Sequence, residues 1–214
     1  VSPPTGNGRS EPVDWSRLAR LYRRQTWLER SSLNTLLEML EPGPQDRLLD
    51  VGTGTGELLR ALAARPDRPH EVVGADPCRD MLDRVPALPA GWETTEARGE
   101  RLPFPDASFD LVTATYLLHV IDPSVRQAVI AEALRVLRPG GRFACITIAP
   151  PLTKTARLLT APGRMAADRF PRQLVGLRPL DPAEDLADAG FIETGRRRDF
   201  RGYPALCLLA AKPG

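Results

Sequence analysis

The sequence predicts a Rossmann-like α/β fold, a mostly parallel sheet with helices on both faces. Three observations lead to it. Short apolar runs alternate with segments of helical periodicity, the rhythm of βαβ units. The first run ends in an acid and enters three glycines at every second position, in "LLDVGTGTGELLRAL", Leu48 to Leu62. The second run ends in Asp76, 20 residues after Gly56, the spacing between glycine loop and second-strand acid in nucleotide-binding sheets.

The elements follow in order. Val1 to about Pro12 is small, polar and rich in Pro and Gly, so residues 1–12 are expected to be a disordered tail and residues 13–214 one domain. Trp15, Leu18, Ala19 and Tyr22 recur at i, i+3, i+4 and i+7, one face of a helix. Ser31 or Ser32 caps a second helix with Leu33, Leu36, Leu37 and Leu40 as its buried stripe, and "EPGPQD" stops it. Residues 13–42 thus form a helical cap before the first strand. "RLLDV" is a strand, "ELLRALAA" a helix ending before Pro66, "EVVGAD" a strand, "CRDMLDRV" a helix and "WETTEA" a strand. "FDLVTAT" is a buried strand. Asp122 caps a long helix with Pro123 at its first position, and Val129, Ile130, Ala133, Leu134 and Leu137 are its apolar face. "RPGG" ends that helix and "RFACITIA" is a strand. Ala149 to Pro179 breaks the rhythm and is too long for an ordinary connection. It begins where ligand sites in such sheets lie, so residues 149–179 are a candidate lid. "PAEDLADAGF" then reads as a helix ending at Gly190, and "IETGRRR" and "YPALCLLAAKP" as a terminal hairpin.

Composition bounds the function. The chain has 214 residues, enough for one well-cored domain. Lys plus Arg number 29 against 27 acids, a net charge of +2 that argues against a nucleic-acid footprint. The triplet Arg196 to Arg198 reads as a solvated strand end. Cys78, Cys145 and Cys207 lie far apart, which suits a reducing compartment. No pair has metal-ligand spacing, and His70 and His119 are the only histidines, so no metal site is expected. No run has signal-peptide character or the length of a membrane span, so the expected location is cytoplasmic.

The glycine loop asks what small molecule comes close to its backbone. Gly52 allows a sharp turn, Gly54 removes a side chain where a ligand touches the main chain, and Gly56 lets the next helix pack close. The dinucleotide pattern is G-x-G-x-x-G, whereas this loop is G-x-G-x-G followed by Glu57. A negative charge at the helix start is unwelcome beside a pyrophosphate. A cationic or zwitterionic ligand fits better, with an ammonium or sulfonium near Asp50. No Gly-Lys-Ser/Thr follows, so this is not a P-loop. Asp76 can accept hydrogen bonds from a ribose diol, and Met81 can pack against a base.

The segments "LLDVGTGTGELLRAL", "VVGADPCRDML", "ERLPFPDASFDLVTATYLLHVID" and "ALRVLRPGGRFACI" stand in order from Leu48 to Ile146. In this the chain resembles the class I S-adenosylmethionine-dependent methyltransferases, in the branch of the ubiquinone/menaquinone-biosynthesis enzymes. The resemblance implies a seven-stranded sheet with one reversed strand, here Pro204 to Ala211. It also implies S-adenosyl-L-methionine as cofactor, with Asp50, Gly52, Thr53, Gly54 and Gly56 around its methionine part. Asp76 would take the ribose hydroxyls, Pro77 and Met81 would flank the adenine, and Thr115 would sit near the donated methyl. One position departs from the family. Where relatives carry an acid that accepts from the adenine amino group, this chain has Arg98, which cannot accept a hydrogen bond. The adenine edge is left to backbone near Gly99, with Glu100 beside it.

Methyl transfer from a sulfonium is an in-line displacement in which the protein mainly positions donor and acceptor. An oxygen or carbon acceptor also needs a base. His119 is the first candidate, with a structural histidine as the bland alternative, and Tyr116 is the second. The implied partner is a small-molecule or lipid-like methyl acceptor. Phospholipid, quinone and tailoring substrates all stay open. The alternative class is a cofactor-binding fold relative with a non-methylating or regulatory role. A nicotinamide oxidoreductase is disfavoured by the loop spacing. The apolar residues among arginines in Pro151 to Leu177 suit either a cover over the acceptor or a homodimer contact.

Overall fold

The computed structural model describes residues 26–152, 178–202 and 204–214. The expectations for the tail, for Trp15, Leu18, Ala19 and Tyr22, and for residues 153–177 of the lid segment lie outside the described residues.

Seven strands form one sheet in the order β3-β2-β1-β4-β5-β7-β6. They are β1 (Arg47–Val51), β2 (Glu71–Asp76), β3 (Trp92–Glu96), β4 (Phe109–Thr115), β5 (Leu137–Ile148), β6 (Ile192–Asp199) and β7 (Ala205–Ala211). β1 pairs in parallel with β2 and β4, and β4 with β5. β7 is antiparallel to both neighbours, so it is the single reversed strand. The short link from Asp199 to Ala205 cannot hold a crossover, which leaves a hairpin as the geometry available.

The central strands read as continuous apolar runs because both faces are covered. Adjacent residues then serve opposite cores. Leu48 and Val72 face one cluster with Leu33, Leu36, Leu37, Leu58 and Leu62. Leu49 and Val73 face the other with Val112, Ile130, Phe143 and Phe191. The helices α1 (Thr26–Leu40) and α2 (Glu57–Ala63) cover the first face. The helices α4 (Pro123–Val136) and α5 (Ala183–Asp188) cover the second, while α3 (Arg79–Leu82) is a single turn after β2. Among the described residues no helix is long and apolar enough to cross a membrane.

Three local expectations are corrected. The helix break at Ser31 or Ser32 is absent: α1 runs through both. The Ser32 hydroxyl donates to the Glu29 carbonyl at 2.7 Å and pairs with the Tyr116 hydroxyl at 2.7 Å, so it is satisfied inside the helix and caps nothing. The segment "CRDMLDRV" is helical only over Arg79–Leu82. The buried face of α4 includes Val136, whereas Leu134 is only partly buried. The helix passes into β5 at Leu137 without a loop.

At the far edge, two of the three arginines of β6 serve the fold, while Arg197 is exposed. Arg196 pairs with Asp181 at 2.8 Å and with Glu193 at 2.7 Å, and Arg198 donates to the Pro150 carbonyl at 2.6 Å. A charged edge strand also resists pairing with another sheet.

Candidate functional site

Because β1, β2 and β4 are parallel neighbours, Val51, Asp76 and Thr115 all end at the same edge of the sheet. The loop after β1 curls there. The Gly52 and Thr53 N–H groups donate to the Ala75 carbonyl at 2.8 and 3.1 Å, which pins the loop to the end of β2. Gly52 has φ 72°, and a Cβ on it would lie 2.9 Å from Leu117. Gly54 has φ 54°, and a Cβ there would meet no protein atom within 4 Å. The main chain at Gly54 is therefore bare toward open space, as expected where a ligand approaches it.

Asp76 ties this loop to the next turn. Its Oδ2 accepts from the Gly54 N–H at 2.9 Å and its Oδ1 from the Cys78 N–H at 2.8 Å. Each carboxylate oxygen keeps a further lone pair, so a diol can still be accepted. Asp50 lies beneath the loop, 1 % exposed. Its Oδ1 accepts from the Thr113 hydroxyl at 2.7 Å, while its Oδ2 and the nearby Thr53 hydroxyl oxygen have no further partner among the described residues beyond each other. Burial raises the Asp50 carboxyl to about 7, against the pull of Thr113 and Thr53. These two buried polar atoms have at most each other under the glycine loop, so a ligand's polar atom can complete them.

A cavity opens over this edge. Gly52, Thr53, Gly54, Thr55, Glu57, Asp76, Pro77 and Met81 form one side of its wall. Leu33, Thr115, Tyr116, Leu117, Val120 and Ile121 form the other, which is mostly apolar. Of the residues expected from sequence, Gly52, Thr53, Gly54, Asp76, Pro77, Met81, Thr115 and Tyr116 are thus brought together. Asp50 and Gly56 lie below or beside the loop. Gly99, Glu100 and His119 are not on the wall. A Cβ at Gly99 would lie 2.9 Å from Val51, so this glycine allows close packing under β1. Glu100 pairs with Arg98 at 3.2 Å.

Tyr116 and His119 differ from simple acid–base groups. Tyr116 holds φ 55°, a left-handed conformation rare outside glycine, and its N–H donates to the Ile146 carbonyl at 2.8 Å. That kink turns the chain out of β4 and onto the cavity wall. Burial pushes its phenol far above the ordinary range, despite the hydrogen bond with Ser32. The His119 ring packs edge-on against Tyr116 at 6.1 Å between centroids. It is buried, its Nδ1 has no partner among the described residues, and burial lowers its pKa to about 4.

Sequence reasoning missed Glu29 and assigned Glu57 no contact with the ligand. Both line the cavity. Glu29 is 6 % exposed, and burial followed by repulsion from Glu57 raises its carboxyl to about 7. The signal was present: the stripe Leu40, Leu36, Leu33 extended back one turn falls on Glu29. Placing a helix start at Ser31 or Ser32 cut the stripe short.

Known proteins resemble the chain in sequence and in fold. Residues 48–141 match the family model described as a methyltransferase domain. The chain is 33% identical over 178 residues to a demethylmenaquinone methyltransferase of Symbiobacterium thermophilum, covering 71% of this chain and 70% of the relative. It is 39% identical over 115 residues to a ubiquinone/menaquinone biosynthesis C-methyltransferase of Desulfotalea psychrophila, covering 52% of this chain and 44% of the relative. The match spans about half the length of most of the curated relatives. In structure, the chain superposes with a TM-score of 0.75 on the methyltransferase solved in complex with the Haloferax volcanii Trm112 methyltransferase activator. That likeness covers 96% of this chain and 100% of the other at 17% identity, and it speaks for the fold.

Proposed function

Because the chain belongs to the class I S-adenosylmethionine-dependent methyltransferases, in the branch of the ubiquinone/menaquinone-biosynthesis enzymes, we propose that it methylates a small, lipid-like acceptor of quinol type. The observation that carries this is one cavity with two characters. The glycine-loop side is polar and bare at Gly54, and the side built from Leu33, Leu117, Val120 and Ile121 is apolar. The names of the relatives, ubiquinone/menaquinone biosynthesis C-methyltransferase and demethylmenaquinone methyltransferase, support a quinone-class acceptor, taken here in its reduced form.

S-adenosyl-L-methionine supplies a methyl group on a sulfonium, an electrophile that needs no protonation of its leaving sulfide. The residues present fit this cofactor. Asp76 would take the ribose diol, Pro77 and Met81 would flank the adenine, and the bare backbone at Gly54 and the Thr53 hydroxyl would meet the ligand between. Thr115, at the end of β4, stands on the acceptor side. Holding donor and acceptor in line supplies most of the acceleration such a transfer needs.

Tyr116 is the polar group on the apolar side. Its hydroxyl stays neutral through the physiological range, and Ser32 fixes it at 2.7 Å, so it serves as a positioned hydrogen-bond partner for an acceptor oxygen. His119 supports Tyr116 from behind. If it takes a proton from the acceptor, the rate should titrate near its lowered value of about 4 and be flat around neutrality.

The test is incubation with S-adenosylmethionine and a short-chain demethylmenaquinol, followed by mass spectrometry for one added methyl. Methylated quinol together with S-adenosylhomocysteine is the expected product pair. Tight binding of S-adenosylhomocysteine with no methyl transferred to quinols would point instead to a non-methylating or regulatory relative.

A further inference from the structure

We propose that Glu29, together with Glu57, is the anionic site that recognises the α-ammonium of the cofactor's methionine end. This rests on the cofactor-binding role given above.

Position comes first. Asp76, Pro77 and Met81 mark the β2 side of the cavity, and Tyr116 marks the β4 side, with β1 between them. Glu29 belongs to the β4 side, because Ser32, one turn along α1, holds the Tyr116 hydroxyl. A ligand whose ribose lies on Asp76 and whose chain crosses the glycine loop directs its amino-acid end to that side.

Charge comes second. Glu29 is nearly out of water, and a buried carboxylate needs a partner. Its charged neighbour on the wall is another acid, Glu57, which itself pairs at 2.7 Å with Arg60 outside the wall. Among the described residues, the cavity wall carries Glu29, Glu57 and Asp76 and no Lys or Arg. Among the described residues neither a hydrogen bond nor a cation offsets the burial of Glu29, and Glu57 repels it, so its carboxyl titrates at about 7. The other polar groups near α1 look elsewhere: the Tyr116 hydroxyl goes to Ser32, while Asp199 and Arg201 bind each other, Ser31 and Thr35 behind the helix. The Cys207 thiol goes to the Ser32 carbonyl. The cavity therefore favours a cation. On the same wall, the buried Thr53 hydroxyl has no partner among the described residues other than the Asp50 Oδ2 behind it, which leaves it able to meet a polar ligand atom.

Chemistry separates the two cationic groups of the cofactor. A sulfonium has no N–H or O–H to donate. An ammonium has three donors and forms charge-assisted hydrogen bonds with carboxylates. Glu29 is thus matched to the ammonium, and the binding event releases its proton below neutrality.

The experiment uses calorimetry on the full chain and on Glu29→Gln with three probes. These are S-adenosylhomocysteine, S-adenosyl-3-thiopropylamine, which keeps the amine and lacks the carboxylate, and 5′-methylthioadenosine, which lacks both. Glu29→Gln should weaken the first two at least tenfold at pH 8 and leave the third within twofold. For wild type, affinity for S-adenosylhomocysteine should rise about tenfold more steeply than for the variant between pH 6 and pH 8, as a group titrating at about 7 loses its proton. Asp50 titrates in the same window, so the difference between the two proteins is the readout. Equal loss for all three probes means that the cavity is distorted, and unchanged affinity with an unchanged pH slope means that Glu29 meets no ligand; either overturns the proposal. If wild type binds none of the probes, the cofactor-binding role itself fails and takes the proposal with it.

Discussion

Replacing Asp76 by Ala should separate two jobs of one carboxylate. In the free protein it accepts the Gly54 N–H at 2.9 Å and the Cys78 N–H at 2.8 Å. A hydrogen bond to a charged group is worth about 1.5–3 kcal/mol net. The lower end applies here, because burial raises the Asp76 carboxyl and the ionised form carries a desolvation cost. Two bonds then give a loss of about 3 kcal/mol in stability, read as an earlier midpoint in urea unfolding. The ribose diol adds its own bonds in the complex, so affinity for S-adenosylhomocysteine should fall by a further ~1–3 kcal/mol, about 5- to 150-fold by calorimetry. Asp76→Asn keeps one acceptor oxygen and should fall between the two proteins in both assays. A wild-type urea midpoint for Asp76→Ala would show that the loop bonds do not form in solution. An earlier midpoint with an unchanged dissociation constant would leave Asp76 as a loop fastener with no part in binding.

Further outcomes follow from the same geometry. Gly54→Val should fold, since its Cβ meets no protein atom within 4 Å, with about 1–2 kcal/mol of strain at φ 54°; S-adenosylhomocysteine binding should disappear, and normal affinity would refute the placement of the ligand on this loop. Ser32→Ala should cost more than Tyr116→Phe in thermal or urea unfolding. The first leaves the buried Tyr116 hydroxyl unpaired, about 1–3 kcal/mol, whereas the second leaves Ser32 still bonded to the Glu29 carbonyl, about 0.5–1.5 kcal/mol. Asp199 is buried, which alone would raise its carboxyl, but hydrogen bonds from Arg201, Ser31 and Thr35 hold it well below the usual carboxylate range. A depressed folded value means stability that is present above the unfolded pKa and lost on acidification through the folded one. Wild type should therefore lose stability below about pH 4, and Asp199→Asn should be less stable at pH 7 with a flatter acid limb.

The parts of the fold legible in the sequence were those where local pattern and tertiary demand coincide. Runs such as "RLLDV" and "FDLVTAT" are apolar throughout because the sheet is covered on both faces, and a strand buried in this way has few other readings. The glycine loop was legible for a stronger reason: three left-handed residues at every second position, Gly52, Gly54 and Gly56, are open to glycine almost alone. The failures lie where a side chain has two uses. A serine in "ERSSLN" is a good cap on paper, but the Glu29 carbonyl and the Tyr116 hydroxyl, 84 residues away in the chain, supply its partners inside the helix. No local rule contains that contact.

The same contact explains why Glu29 escaped notice. Once the helix start was set at Ser31 or Ser32, Glu29 belonged to a connection, where an acid needs no explanation. With α1 continuous from Thr26 to Leu40, the acid falls on the buried stripe, where it needs one. An ionisable residue on an apolar helix face opposes folding unless a ligand or partner repays it. The sign can be followed through pH. A carboxyl at about 7 in the folded chain and at its ordinary value of 4.5 when unfolded binds its proton more tightly in the folded state. Its share of stability is then lost as pH rises from about 4.5 to about 7. A cationic ligand reverses that sign by stabilising the ionised form. The free chain should accordingly melt earlier at pH 7.5 than at pH 5.5, and saturating S-adenosylhomocysteine should raise the melting temperature more at the higher pH. In Glu29→Gln both differences should shrink, leaving what Asp50 contributes and, with the opposite sign, what the buried His119 contributes. A wild-type protein with the same ligand-induced shift at both pH values would mean that no buried carboxylate meets the cofactor's positive charge.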